Sequence, residues 1–360
     1  MGQEGVARPV VAVAVAVLAA SGAGVAGCGS GDSETDAAPT QHRLLAPDSS
    51  AGTRLAVAAA GDFGMKAPGR ATFATMAKSN PDMYLGLGDF SYAGPNSERR
   101  FCRLVRSKVG PDAPFEIVSG NHEEDTGEDG LIAEFSECLP DRLDATGEYG
   151  RQYYFDVGRL ARFIMISPDL TIEGTHNFYG KDDDGADTPN LTWLEAAISD
   201  AREAGIEWVV VGMHKPCISI GEYYCDVYQD LFTRLIEDRV DLVLSGHDHT
   251  YQRSKQIAAP RDGCSAVIID RFDRDCVVDD DDSYEKGAGS VFVISGAGGG
   301  ELNPLHANDP EAGYFAATMG KNSDPRYGFA MLSLSPRAMS VRFVGSTPGS
   351  FGDRFEIVSE

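Results

Sequence analysis

Five short apolar segments, each followed by residues of the types that bind metal ions, constrain the fold of this chain more than any other feature. Short apolar runs bounded by glycine are typical of strands that are buried on both faces in a parallel sheet. Between the runs lie segments that can form helices, so the pattern predicts an α/β fold built from βαβ units. The five runs are residues 55–60, 83–87, 115–118, 208–213 and 241–245.

The polar residues that follow these runs are predicted to lie together. In an open α/β sheet the ligand site lies beyond the carboxyl ends of the strands, so side chains that follow different strands meet at one edge. Carboxylate, imidazole, amide and phenol groups bind iron, manganese or zinc, and no cysteine occurs in these motifs. The residues concerned are Asp62, Asp89, Tyr92, Asn121, His122, His214, His247 and His249.

In order and placement these motifs resemble those of the calcineurin-like metallophosphoesterases, and within that family the purple acid phosphatase branch. The resemblance covers roughly residues 55–300, from Gly-Asp-Phe-Gly at residue 61 to Gly-His-Asp-His at residue 246 and the glycine run beyond. It implies a four-layer α/β/β/α sandwich with two mixed β-sheets, formed as one domain by residues 53–360.

Two linked differences indicate the branch. Many of these esterases place a histidine two residues after the first aspartate, but this chain has Gly64 there. It has Tyr92 three residues after Asp89, where the purple acid phosphatases carry a tyrosinate ligand. Taken alone, Tyr92 would be interpreted as an ordinary buried tyrosine, and the missing histidine at position 64 favours the ligand.

The resemblance implies two metal ions that share one carboxylate. It assigns the first ion to Asp62, Asp89, Tyr92 and His249, and the second ion to Asp89, Asn121, His214 and His247. A phenolate ligand favours a hard trivalent ion, so Fe(III) beside Zn, Mn or Fe(II) is the expected pair.

The implied reaction is hydrolysis of phosphate monoesters by a metal-held hydroxide, without a phosphorylated enzyme. His122 is not counted as a ligand. Like the corresponding histidine of the family, it is expected to protonate the leaving group or to stabilise the transition state. A phosphodiesterase or a nucleotidase is an alternative, because the loops around the site decide that choice. A non-catalytic surface lipoprotein that keeps the fold for binding is a further alternative, which the full set of ligand positions disfavours.

Other polar residues receive a simpler interpretation. His42, His176 and His306 have no motif around them, and Lys215 beside His214 is expected to face solvent. The aspartate runs at residues 182–184 and 279–282 lack the spacing of an EF-hand and are interpreted as solvated loops.

The N-terminal segment is predicted to direct export. A Val/Ala-rich run over residues 10–20 follows Arg8, and small residues lead to Cys28, as in a signal peptide over residues 1–27. Residues 25–28 resemble a bacterial lipobox, so Cys28 is expected to be lipidated and residues 28–52 to form a flexible tether. The expected location is the cell envelope, anchored to the outer face of the cytoplasmic membrane, or the outside of the cell. An uncleaved anchor is the alternative, although glycines from residue 22 onward shorten the apolar span.

The charge of the chain limits its partners. A net charge of −24 argues against nucleic acid and against direct binding to an anionic membrane, because both require a basic patch. The expected partner is a small-molecule phosphate ester, attracted mainly by the bound cations. Contact with the membrane would come through the lipid on Cys28 alone, and the pattern gives no indication of an oligomeric state.

The cysteines agree with export. Six cysteines remain beyond Cys28, an even number outside the metal motifs, which indicates disulfides in an exported chain. Six cysteines allow 15 connectivities. Pairing of nearest neighbours is favoured because each pair brackets one local loop, and buried thiols are the alternative. The favoured pairs are Cys102–Cys138, Cys217–Cys225 and Cys264–Cys276.

Further elements follow from periodicity and capping residues. Helices are predicted at residues 68–78, 97–108, 191–203 and 226–238, the last one capped by Asp226. A hairpin is predicted over residues 153–167, a strand at 290–295, and closing antiparallel strands at 329–334, 338–344 and 355–358.

Overall fold

The structure is a computed structural model that describes residues 54–359, with the exception of residues 224 and 226. Within these residues the strands are β1 (Leu55–Ala60), β2 (Met83–Leu87), β3 (Phe115–Val118), β4 (Thr146–Glu148), β5 (Gln152–Val157), β6 (Ala161–Ile166), β7 (Thr171–Ile172), β8 (Thr175–His176), β9 (Trp208–Gly212), β10 (Leu242–Ser245), β11 (Tyr251–Ser254), β12 (Gln256–Ile257), β13 (Val277–Asp279), β14 (Ser283–Glu285), β15 (Val291–Ser295), β16 (Phe315–Met319), β17 (Gly328–Ser335), β18 (Ala338–Gly345) and β19 (Arg354–Val358). The α-helices are α1 (Ala67–Lys78), α2 (Glu98–Val109), α3 (Ile132–Cys138), α4 (Pro189–Glu203) and α5 (Gln229–Glu237).

Two mixed sheets contain most of these strands. Sheet A has seven strands in the order β14-β19-β18-β17-β1-β2-β3, and sheet B has eight in the order β16-β11-β15-β10-β9-β6-β5-β4. In sheet A, β1, β2 and β3 are parallel neighbours and β17 joins β1 in the antiparallel direction. In sheet B, β6, β9, β10 and β15 are parallel, with antiparallel strands on both sides of them.

Three apolar cores arrange the sheets and helices in four layers. The central core joins the inner faces of both sheets and contains Leu85 of β2 and Val210 of β9. A second core packs α1, α2 and α3 on the outer face of sheet A through residues such as Phe73. A third core packs α4 and α5 on sheet B through Leu194 and Leu231. The predicted α/β/β/α sandwich with two mixed sheets is therefore confirmed.

The five apolar runs of the sequence form the strands that lead to the polar motifs. β1, β2 and β3 begin and end where predicted, whereas β9 and β10 are each one residue shorter than the runs. Every residue of β2, β3, β9 and β10 is buried, which accounts for their mainly apolar sequences. β1, β2 and β3 are parallel neighbours in sheet A, and β9 and β10 are parallel neighbours in sheet B. The carboxyl ends of these strands therefore place the motifs side by side.

The helices differ from the predictions mainly at their ends. α4 begins at Pro189, two residues before the predicted start, because the hydroxyl of Thr188 caps it by accepting the N–H of Leu191 at 3.4 Å. α5 begins at Gln229, so its predicted start was wrong, and the predicted cap Asp226 lies outside the described residues. α3 was not predicted, because its seven residues are too few to show helical periodicity.

Two of the three predicted disulfides are present. Cys102–Cys138 links α2 to α3, and Cys264–Cys276 closes a loop beside sheet B. The predicted bond between Cys217 and Cys225 was wrong, since the described residues contain no disulfide at these positions. Cys217 is a buried thiol, and the thiol of Cys225 donates a hydrogen bond to the carbonyl of Val227 at 3.0 Å.

The predicted signal peptide (residues 1–27) and tether (residues 28–52) lie outside the described residues. Among the residues that are described, no helix combines the length and apolar character required to cross a membrane.

One buried carboxyl group in β3 affects stability. Glu116 is fully buried, and its Oε2 has no hydrogen-bond partner among the described residues. Burial, followed by the charge of Asp141, raises the pKa of Glu116 to about 8. Between the ordinary glutamate pKa and this value, the folded protein binds a proton that the unfolded chain does not. Stability from this group is therefore fully present below about pH 4.5 and is lost as the pH rises through about 8.

Glu116→Gln is expected to remove this pH dependence, because glutamine resembles the neutral acid and cannot ionise. One pKa unit corresponds to about 1.4 kcal/mol, so at pH 9 the free energy of unfolding of the variant is expected to exceed that of the wild type by up to about 5 kcal/mol. At pH 4.5 the two proteins are expected to be nearly equal. Urea unfolding at both pH values measures the difference.

Glu134→Gln provides the matched control, because Glu134 is an exposed residue of α3. It should leave the pH profile of unfolding unchanged. An unfolding free energy of Glu116→Gln that runs parallel to the wild type from pH 4.5 to pH 9 would show that Glu116 ionises normally in the fold.

Candidate metal centre

The structure brings all seven predicted ligand side chains together at the carboxyl ends of β1, β2, β3, β9 and β10. The carboxylate and imidazole donor atoms among them form two groups, and within each group every atom lies within 4.8 Å of the others. One group contains Asp62, Asp89 and His249, and the other contains Asp89, His214 and His247. Asp89 belongs to both groups, so its carboxylate lies between them.

Tyr92 joins the first group. Its phenol oxygen lies 3.1 Å from Oδ1 of Asp62, 3.0 Å from Oδ2 of Asp89 and 2.8 Å from Nε2 of His249. A Cβ atom added to Gly64 would lie 3.5 Å from the ring of Tyr92. The tyrosine ring therefore lies beside Gly64, the position at which many of the related esterases carry a histidine.

Asn121 joins the second group. Its Oδ1 lies 3.0 Å from Nε2 of His214, which in turn lies 3.2 Å from Nδ1 of His247 and 3.3 Å from Oδ1 of Asp89. His214 is fully buried and His247 is 6% exposed, so this group is the less accessible of the two. Each group thus offers four side-chain donors, with Asp89 counted twice.

Hydrogen bonds from the far side of two imidazoles fix their orientation. Nδ1 of His214 lies 2.7 Å from the carbonyl oxygen of Leu87, and Nδ1 of His249 lies 2.7 Å from that of Glu301. Because a carbonyl can only accept, each Nδ1 carries the hydrogen and each Nε2 is left facing the other donors. This arrangement of a second hydrogen-bond partner is typical of metal-binding histidines.

Four of the seven residues have a backbone conformation that residues other than glycine rarely adopt. The φ angle is 61° at Asp62, 52° at Asp89, 45° at Tyr92 and 68° at His247. Positive φ is uncommon outside glycine and costs free energy, most of all for a bulky residue such as tyrosine. Such conformations persist where the surroundings fix them, and they cluster at functional sites.

A close approach of two loops explains one motif glycine. A Cβ atom on Gly120 would lie 2.1 Å from Oδ1 of Asp89 and 2.5 Å from its backbone nitrogen. Any side chain at position 120 would therefore push the shared carboxylate out of place. The glycine of the Gly-Asn-His motif allows β3 to end against the loop that follows β2.

The electrostatics of the group favour bound cations. Burial, and then the carboxylates of Asp62 and Asp89, raise the pKa of the Tyr92 phenol well above its usual value. Burial opposes the charged form of His214, but the carboxylate of Asp89 outweighs it and raises the pKa of the imidazole to about 9. Protons on Tyr92 and His214 thus stand where positive ions would, and binding of ions releases them. The two groups offer carboxylate, imidazole, amide and phenol donors and share the carboxylate of Asp89, and this set of donors fits two such ions.

His122 lies beside the two groups and belongs to neither of them. Its backbone N–H donates to Oδ1 of Asp89 at 3.1 Å, and its Nε2 lies 3.8 Å from Oδ2 of the same residue. Its Nδ1 lies 2.6 Å from Oδ2 of Asp129, and the imidazole is 29% exposed. The pairing with Asp129 was not predicted, because Asp129 lies in a loop without a recognisable pattern.

Glu123 is a further residue whose role was missed. Its carboxylate accepts the N–H groups of Asp89 and Phe90 at 2.8 Å each, and that of Gly120 at 3.1 Å. It therefore clamps together the turns that follow β2 and β3. Burial, and then Asp89, raise the pKa of this carboxyl to about 8. Its position directly after the Asn-His pair was the only signal available in the sequence.

The remaining polar residues near these loops correct one prediction. Lys215 does not face solvent: its side chain is 13% exposed, and Nζ lies 2.9 Å from Oδ2 of Asp169. His176 is exposed, and its Nε2 lies 3.0 Å from Oδ1 of the same aspartate. Neither residue lies in the two donor groups.

Comparison with known proteins agrees with this geometry. The model of the calcineurin-like phosphoesterase family matches residues 57–251, which is more than half of the chain. Purple acid phosphatase 23 of Arabidopsis thaliana is 25% identical over 250 residues, covering 59% of this chain and 51% of the relative. Fe(3+)-Zn(2+) purple acid phosphatase 12 of the same plant is 26% identical over 191 residues, covering 48% of this chain and 37% of the relative.

A solved structure has the same fold. The purple acid phosphatase PPD1 from yellow lupin (Lupinus luteus) seeds superposes with a TM-score of 0.62 at 18% identity, covering 86% of this chain and 54% of that one. The chain spans about half or less of the length of the two Arabidopsis relatives. Given the family match, the motif order and the shared fold, the chain belongs to the calcineurin-like phosphoesterase family and is similar within it to the purple acid phosphatases.

Proposed function

We propose that the protein is an exported phosphoesterase that hydrolyses phosphate monoesters with two metal ions, in the manner of a purple acid phosphatase. The observation that carries the proposal is the position of Asp89, whose carboxylate belongs to both donor groups. A carboxylate shared by two groups is suited to hold two ions a few ångströms apart, as two-metal phosphoesterases require. Membership of the calcineurin-like phosphoesterase family supports the same class of reaction.

Each ion would be held by four side chains of this chain. The first would take Asp62, Asp89, Tyr92 and His249, and the second Asp89, Asn121, His214 and His247. When bound, the two ions supply the positive charge that activates a water molecule and neutralises the phosphoryl group. The surrounding hydrogen bonds hold the donors in place before any ion arrives, so little reorganisation accompanies the reaction.

His122 would move the proton that the leaving group needs. It lies beside Asp89 outside both donor groups, so its imidazole is available to the ester oxygen of a bound substrate. Asp129 accepts from Nδ1 and thereby turns Nε2 towards the centre. General acid catalysis by a positioned imidazole typically accelerates a reaction by about 10²–10⁴-fold.

The proposed metal pair is Fe(III) with Zn, Mn or Fe(II). Support comes from the phenol of Tyr92 in the first group and from similarity to a phosphatase whose name specifies Fe(3+) and Zn(2+). A tyrosinate on Fe(III) absorbs visible light, so the iron-loaded protein is expected to be coloured and Tyr92→Phe to be colourless. A colourless wild type with Mn or Zn in both sites would argue against iron while leaving the phosphoesterase proposal intact.

The proposed location is outside the cytoplasm, with lipid on Cys28 as the proposed attachment to the membrane. The disulfides Cys102–Cys138 and Cys264–Cys276 support export, because such bonds persist in oxidising compartments. Fractionation of cells that express the wild type and Cys28→Ser tests the anchor. Recovery of both proteins in the soluble fraction would replace lipidation with simple secretion.

The activity is tested with the purified full-length protein. About two metal ions per chain are expected, together with faster hydrolysis of nitrophenyl phosphate than of bis(nitrophenyl) phosphate, because the monoester presents more negative charge to the two ions. Metal analysis and initial rates provide the measurement. Preference for the diester would favour a phosphodiesterase, and preference restricted to nucleoside monophosphates would favour a nucleotidase. Two bound ions without turnover of any ester would favour a binding protein.

A further inference from the structure

A short strap of residues 219–222 crosses the edge of the metal centre and is fixed by buried side chains. Three of its backbone N–H groups each donate to a different buried acceptor. Such bonds hold a loop rigidly, because breaking any of them leaves a buried polar group without a partner. The pairs are Ser219 to Oε2 of Glu311 at 3.1 Å, Ile220 to Oε1 of Gln252 at 2.9 Å and Glu222 to Oδ1 of Asp248 at 3.0 Å.

Asp248 ties this strap directly to the metal motif. Asp248 is fully buried and stands in the sequence between the predicted ligands His247 and His249. Its carboxylate accepts hydrogen bonds from the hydroxyl of Ser219 and from the N–H of Glu222. A Cβ atom on Gly221 would lie 2.1 Å from Oδ2 of Asp248, so only glycine allows the strap to approach this closely. The position of the strap is thus set by the same turn that sets the two histidines.

The strap places the ring of Tyr223 against one of the predicted ligands. The centroids of the Tyr223 and His247 rings are 4.3 Å apart, and the ring planes are inclined by 32°. Tyr223 is nevertheless 40% exposed, one of few large apolar side chains with such exposure among the described residues. An aromatic ring therefore lies at the edge of the centre with part of its surface facing solvent.

We propose that Tyr223 is a stacking surface for planar aromatic leaving groups, so that aryl or nucleoside phosphates are the preferred substrate class. This inference rests on the proposed phosphoesterase function. A phosphoryl group bound at the centre to which His247 belongs would leave its ester substituent to extend outward past the adjacent ring. Aromatic rings attract one another in offset or tilted arrangements, and stacking on a base or aryl group stabilises binding appreciably. The rigid strap means that the ring is already in place when the substrate arrives.

Binding of phosphonates tests the stacking without depending on turnover, because their P–C bond is not hydrolysed. Titration calorimetry on the metal-loaded full-length protein compares 1-naphthylphosphonate with methylphosphonate. The wild type is expected to bind the naphthyl compound more tightly. Tyr223→Ala is expected to lower the affinity for the naphthyl compound by about tenfold and the affinity for methylphosphonate by less than about twofold, which corresponds to the loss of one stacking contact. Tyr223→Phe is expected to keep the wild-type preference.

Two further variants complete the design. Tyr223→Leu keeps an apolar side chain over His247 but removes the aromatic face, so it should lose the preference while retaining both metal ions. Tyr228→Ala is the matched control: Tyr228 is 39% exposed in the same loop, but its ring packs on Phe178 at 4.4 Å. This control should bind both phosphonates like the wild type.

Several results would overturn the inference. One is an equal loss of affinity for both phosphonates in Tyr223→Ala and Tyr223→Leu. Another is no loss of affinity in either variant, and a third is a loss of the preference for the naphthyl compound in Tyr223→Phe. Rates with naphthyl phosphate and glycerol phosphate separate this inference from the proposed function. A protein that shows the binding preference but hydrolyses neither ester retains the stacking surface and lacks the phosphoesterase activity. A protein that hydrolyses both esters, with kcat/KM values that Tyr223→Ala does not change, retains the activity and lacks the stacking surface.

Discussion

Asp89→Asn is expected to lower the metal content from about two ions per chain to less than one and to lower kcat/KM by roughly 10³-fold, since the ions supply several kcal/mol of transition-state stabilisation. Asp89 is the one carboxylate common to both donor groups. Asparagine keeps one oxygen but removes the negative charge, so neither ion retains its full set of donors. Metal analysis and steady-state rates on the purified protein measure both effects.

The control for this variant is Asp144→Asn. Both aspartates have a left-handed backbone, with φ angles of 52° at Asp89 and 56° at Asp144, but Asp144 is exposed and distant from the motifs in sequence. The chemical change and the backbone requirement are thus the same, and the control should keep both ions. His214→Ala is expected to empty mainly the second site, because His214 belongs to one group. Retention of two ions and full activity by Asp89→Asn would refute a shared ligand.

The strands that lead to the site could be predicted from the sequence because their signal is local. In β1 and β2 the apolar run stops at the strand end, where a glycine begins the turn, and in β3 Ser119 precedes the glycine; the predicted bounds of all three agree with the structure. Burial on both faces imposes this character on each strand separately. The order of the strands in the sheets needs more than this signal, because it depends on which strands pair.

The convergence of the donor residues also followed from local placement. A polar residue after a buried parallel strand lies at the ligand-binding edge wherever that strand sits in the sheet. Tyr92 is the instructive case, because its phenol lies among Asp62, Asp89 and His249 although it follows its strand by five residues. The missing side chain at Gly64 was the signal that pointed to it.

The supporting residues could not be predicted, because their roles depend on contacts between distant segments. Asp129 meets His122 from a loop without periodicity, and Asp248 holds a strap that comes from a different loop. Lys215 was interpreted as solvent-facing because nothing in its neighbourhood specifies Asp169, 46 residues away, as its partner. A side chain with a long-range partner carries no pattern of its own in the sequence.

The cysteines show the same limit. Pairing of nearest neighbours gave Cys102–Cys138 and Cys264–Cys276, where the folded loops bring the two residues together. It was wrong for Cys217 and Cys225, whose loop is shaped instead by backbone hydrogen bonds to buried side chains. Closeness in sequence favours a disulfide only where the loop directs the two thiols towards each other.

His122→Ala is expected to lower kcat by about 10²–10³-fold for alkyl phosphates and by less than about tenfold for nitrophenyl phosphate. An alkoxide is a poor leaving group and requires a proton as it departs, whereas nitrophenolate leaves without one. Since His122 lies outside both donor groups, the metal content should not change. Asp129→Asn should show the same pattern with a smaller loss, because Asp129 acts by orienting the imidazole at 2.6 Å.

His176→Ala is the matched control for this experiment. His176 also pairs with an aspartate, at 3.0 Å from Asp169, but its side chain is 47% exposed and it lies in neither donor group. Removing it should leave the rates for both kinds of ester unchanged. The comparison therefore separates the loss of a histidine–aspartate pair in general from the loss of the one beside Asp89. Equal losses for alkyl and nitrophenyl esters in His122→Ala would exclude proton donation and leave the imidazole a role in substrate binding or in its 3.8 Å contact with Asp89.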